Sequence, residues 1–83
     1  MKSFTNWINT FLSEKGIDSE EILAVPGNSI FGENLIPVGV LVDAILSAPA
    51  IEQKGIKAML VRIDYLNGNV RHYLTHLAKA IAL

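Results

Sequence analysis

The sequence predicts an all-α protein, a compact orthogonal or bundle-like array of four main helices plus a short helical turn. Apolar residues recur at helical spacing in four separate stretches: Phe4-Trp7-Ile8-Phe11-Leu12, Val38-Leu41-Val42-Ile45-Leu46, Ile56-Met59-Leu60-Ile63-Leu66 and Val70-Tyr73-Leu74-Leu77-Ile81. Helix punctuation separates them, at Gly16, Pro49 and Asn67-Gly68. With 83 residues there is material for one core, so residues 1–83 are read as a single helical domain.

Composition narrows the function classes. The hydrophobic fraction is 51% and mean hydropathy is +0.37, which argues against disorder and in favour of apolar surface left for a partner. There is no cysteine, hence no disulfide and no thiolate ligand, and stability rests on packing. The start, MKSFTNW, lacks the apolar core of a signal peptide. The most apolar run, Leu35 to Val42, is too short to span a membrane. A cytoplasmic location without membrane insertion is therefore expected.

Net charge is −1, unevenly divided. Residues 1–53 hold two Lys and seven carboxylates, a balance of −5, whereas residues 54–83 hold five Lys or Arg and only Asp64, a balance of +4. Complementarity within or between subunits accounts for such a split; an anion-binding face on the C-terminal half is the sharper alternative.

The first helix has Ser3 as its N-cap and Gly16 as its left-handed terminator, with Ile17 folding back on the last turn. Trp7 falls at core spacing and is read as core. Asp18 and Glu21 resemble a capping pair that opens a short helical turn, SEEILA, ended by Pro26-Gly27. The run from Val25 to Asn34 is dense in turn formers, an ordered loop with Ile30 and Phe31 tucked inward. Its Gly27-x-x-x-x-Gly32 spacing superficially matches a phosphate-binding loop. Glu33 and Asn34 stand where Lys and Ser or Thr are required, so that comparison fails.

Asn34 is placed as the cap of the second helix, with Pro37 in its first turn; Gly39 early in it fits a close neighbour or, equally, a turn-end effect. Asp43 and Ser47 fall on its polar side. Pro49 opens the third helix, Asn67-Gly68 ends it, and Asn69 caps the fourth, which runs from Val70 to Ala82. LVRIDYL and NVRHYL around Asn67-Gly68 also fit a β-hairpin at about 60–75, an α+β alternative. That pairing sets Asp64 opposite Arg71 and Val61 opposite Leu74.

Two surfaces are candidate sites. The stretch Ile56 to Leu66 carries a second apolar side, Ala58, Val61 and Tyr65, which one small bundle need not cover; it is the expected interface of a homodimer or with another protein. The last helix sets Arg71, His72, Thr75, His76 and Lys79 opposite its apolar stripe, the anion or nucleic-acid contact of a helix-turn-helix alternative. His72 and His76 lie one turn apart, but Tyr73-Leu74-Thr75 between them lacks the metalloprotease Glu and any third ligand must come from elsewhere. No metal and no cofactor are expected. No nucleophile with a base and an orienting group can be named, so no catalytic residue and no enzyme are expected.

Overall fold

The computed structural model describes residues 3–27 and 33–81, and Ile30 and Phe31 lie outside them. Helix α1 spans Phe4–Glu14. Ser3 caps it, its Oγ accepting from the Asn6 N–H at 3.2 Å. At the far end Gly16 takes φ +71, the Gly16 N–H donates to Ser13 O and the Ile17 N–H donates to Leu12 O at 2.9 Å. These paired bonds are a Schellman ending, and they bury Ile17.

The next segment departs from the sequence reading. Asp18 does accept two N–H bonds through Oδ1, from Glu20 at 2.9 Å and Glu21 at 3.0 Å, but it closes a single turn. From Ile22 the chain is extended: strand β1, Ile22–Pro26, pairs antiparallel with β2, Glu33–Pro37, with Ala24 opposite Leu35. Burial along β1 has the period of a strand, Leu23 and Val25 inward and Ile22, Ala24 and Pro26 outward. Asn34 therefore sits in a ladder opposite Val25 and caps nothing.

Helix α2 spans Val38–Leu46 with Pro37 as its N-cap residue. The cause is steric, since a proline disfavours helical backbone in the residue before it and so keeps Ile36 extended. No side chain caps α2. The turn after α1 does so instead, Val38 N–H donating to Glu21 O at 2.8 Å and Gly39 N–H to Ser19 O at 2.9 Å. A Cβ on Gly39 would meet Ser19 O at 3.2 Å, which favours the close neighbour over the turn-end effect of the two explanations open for this glycine.

Helix α3, Ala50–Tyr65, follows the break at Pro49, and Gln53 Nε2 donates back to Ile45 O and Leu46 O of α2. The C-cap of α3 is Leu66, and the chain turns at Asn67, whose φ is +55°, where Gly68 N–H donates to Ile63 O at 2.8 Å. Helix α4, Val70–Ile81, begins under Asn69, whose Oδ1 accepts from the His72 N–H at 3.0 Å. Residues 60–75 are thus two helices and a turn; the hairpin of this fold is β1–β2. The type I′ turn that Asn-Gly favours needs both Asn67 and Gly68 at positive φ, and Gly68 is not.

The architecture is four helices with a two-stranded antiparallel sheet. Helix α4 packs on β1, α2 on β2, and α3 on α4. Ile8, Leu41, Ile45, Leu60, Leu74 and Val38 form the fully buried centre. No helix among the described residues is long and apolar enough to cross a membrane.

Candidate functional site

Only part of the apolar stripe expected to face inward from α3 does so. Ile56 and Leu60 are buried and Ile63 is half-buried, whereas Met59 and Leu66 are exposed. Two contacts on its inner flank fix how α3 is rotated. Asp64 pairs with Lys15 at the end of α1, and the Lys57 ammonium lies 5.1 Å from the Trp7 ring centroid. Trp7 itself stacks between Phe4 and Phe11, at 5.9 and 5.1 Å, and is half-buried rather than fully enclosed.

With α3 held in that rotation, its outer side carries the expected residues. Ala58 is exposed, Val61 is 48% exposed and Tyr65 is 85% exposed. Ile51, which the sequence reading did not single out, joins them at 76% exposure. Its signal was available: Ile51, Ala58 and Tyr65 recur every seven residues, with Val61 between, so they share a line opposite Ile56 and Leu60. Lys54 falls on that line between Ile51 and Ala58, and Arg62 is exposed beside it.

Gly55 is exposed in mid-helix, and a Cβ there would meet nothing within 4 Å. Internal packing therefore gives no reason for a glycine at this position.

The polar side of α4 is less uniform than its sequence. Arg71 turns away to the segment between α1 and β1, its Nε donating to Glu21 Oε2 at 2.7 Å and its terminal nitrogen to Glu21 Oε1 at 3.0 Å and to Gly16 O at 3.2 Å. The hydrogen bonds to the Glu21 carboxylate raise the Arg71 pKa further above its ordinary value. Thr75 Oγ1 donates to Arg71 O at 3.0 Å, a bond within the helix. What stays on the open side is Lys79 with His72 and His76, whose Nε2 atoms lie 3.1 Å apart. Tyr73, on the flank, has a phenol pKa raised by partial burial.

A second apolar surface lies on the hairpin. Ile22 (52% exposed) and Leu35 (70% exposed) are on the side away from the core, with Ala24 exposed between them and Val40 exposed at the start of α2. Between α1 and α2 a cleft of about 450 Å³ is floored by Leu12, Ile17 and Val42 and rimmed by Asp18 and Asp43. Among the described residues no His, Cys, Lys or Arg lines it.

Glu33 and Asn34 lie in β2, so no helix N-terminus follows the glycine-spaced loop as phosphate binding requires. Among the described residues no three or more His, Cys, Asp or Glu side chains gather as a metal site. No family model, curated protein or solved structure matches the chain.

Proposed function

We propose that this protein is an interaction or assembly module that forms a homodimer through the outer side of α3. The observation that carries this reading is the line Ile51, Ala58, Val61 and Tyr65, exposed along a helix of 16 residues and centred opposite its buried side. Such a seam is what one helix presents to another chain. Fully burying an exposed Ile or Val side chain stabilises by about 1.5 to 3 kcal/mol, and Val61, 48% exposed, has only the remaining part of that to gain.

Charge points to a second copy as the occupant. Arg71–Glu21 and Lys15–Asp64 each join one half of the chain to the other, and each removes one charge of either sign. Setting those four residues aside still leaves −5 on residues 1–53, from one Lys and six carboxylates, and +4 on residues 54–83. The α3 seam carries Lys54 within it and Arg62 at its edge, while Asp18 and Glu20 are exposed next to the hairpin that presents Ile22 and Leu35. A second copy supplies both the apolar and the acidic complement, in a two-fold arrangement where each subunit's seam meets the other's hairpin.

Replacing Val61 and Tyr65 together with Glu tests this. The double variant should keep its helical circular dichroism and sediment as a monomer under conditions where the native chain is a dimer. A variant that is folded and still dimeric would remove the seam from the interface. The added variant Leu35→Glu reports on the partner surface: it should weaken the dimer too, and an unchanged dimer would replace the reciprocal contact with one between two α3 helices.

A further inference from the structure

The sequence gives no third ligand for His72 and His76, but it does not fix how the two rings sit. The structure sets their Nε2 atoms 3.1 Å apart on the solvent side of α4. We propose that His72 and His76 form a two-imidazole clamp for one divalent transition-metal ion of the Zn²⁺, Ni²⁺ or Cu²⁺ class, the remaining coordination positions being filled by water.

The distance is the argument. A cation about 2.0–2.1 Å from both nitrogens, the ordinary Zn–N separation, would see them at an angle of about 95–100° when they are 3.1 Å apart. That lies between the cis-octahedral and tetrahedral angles, and the cation would replace the hydrogen bond that one Nε2–H now donates to the other Nε2. The spacing of four residues puts both rings on one helix face, and α4 is held by the burial of Val70, Leu74 and Ala78, so the second ligand is positioned when the first binds. Both imidazoles must present Nε2 lone pairs, with the ring protons on Nδ1.

The neighbours permit this. Arg71, the cation adjacent in sequence, is turned to Glu21, and the Thr75 hydroxyl is used by Arg71 O. Lys79 is one turn on and exposed, where solvent screens its repulsion. Imidazole selects Zn²⁺, Ni²⁺ and Cu²⁺ over Mg²⁺ and Ca²⁺, which prefer oxygen. The clamp uses a different helix face from the α3 seam and does not depend on dimer formation.

Titration of the untagged full chain with Zn²⁺ or Ni²⁺ by calorimetry tests the assignment, with Mg²⁺ as the control. One ion per chain should bind, and the His Cε1–H resonances of both residues should shift together. His72→Gln and His76→Gln should each weaken binding by about a hundredfold, the loss of a tethered second ligand. The double variant should lose the remaining single-imidazole binding as well, leaving no heat of Zn²⁺ binding at this site. The native chain should also gain thermal stability with Zn²⁺, a gain absent from both variants. Equal affinity in either single variant, or binding of Mg²⁺ as tight as Zn²⁺, would overturn the clamp.

Discussion

Leu60 and Val61 are neighbours in sequence with opposite roles. Leu60 is fully enclosed between α3 and the rest of the core, and Val61 is 48% exposed. Truncating Leu60 to Ala should cost about 2–5 kcal/mol, the transfer and cavity terms together. Val61→Glu should change monomer stability by only about 0.5 kcal/mol in either direction, as for other surface positions. Urea denaturation of the two variants reads both. Tyr73 offers a pH test. Its folded-state pKa is raised by burial, so the folded protein holds the phenolic proton more tightly than the unfolded chain does. That contribution is complete below about pH 10, the unfolded value, and is lost as pH rises through the folded value. Tyr73→Phe should flatten this alkaline limb of the stability profile, and an unchanged limb would mean other groups cause it. At this scale local geometry was legible in the sequence: Ser3, Gly16 with Ile17, Asn69 and the crowding at Gly39 act through residues a few positions away or through a constraint on their own backbone. The partners of Arg71 and Asp64 were not legible, because Glu21 and Lys15 come to them through the tertiary fold.

Two glycines separate the demands on α2 and α3. Gly55 faces open space in the middle of α3, so Gly55→Ala should stabilise the monomer by up to about 1 kcal/mol through helix propensity. Gly39→Ala should give no such gain, since its Cβ would press on the carbonyl of Ser19 that accepts the Gly39 N–H. Denaturation midpoints at constant slope measure the contrast; an equal gain at both sites would mean that the Ser19 turn yields freely. All four helices were readable from their period. The β1–β2 hairpin was not, for two physical reasons. The carboxylate of Asp18 caps an isolated turn as well as a helix, so the capping pattern did not distinguish them. The restriction that Pro37 places on Ile36 was also outweighed by the helical spacing that follows, which led to a helix start at Asn34 instead of Val38. The Asn67-Gly68 pair served a helix end because only Asn67 adopts the left-handed conformation.

For the molecule as a whole, the surplus of apolar residues resolves into an enclosed centre and two exposed surfaces, the α3 seam and the outer side of the hairpin. The seam was legible in Ala58, Val61 and Tyr65, while Ile51 extends it and Met59 and Leu66 lie outward of where their spacing put them. The hairpin surface escaped the sequence because Ile22, Ala24 and Leu35 acquire a common side only once the strands pair. The imbalance of −5 and +4 is carried by whole halves of the chain and persists after its internal ion pairs, which makes the proposed association sensitive to salt as well as to apolar substitution. The most direct measurement is sedimentation of the native chain over a concentration series, at low and at high salt. The weight-average mass should rise from one chain to two with concentration, with a weaker dimer at high salt. A mass that remains that of a single chain throughout would contradict the account.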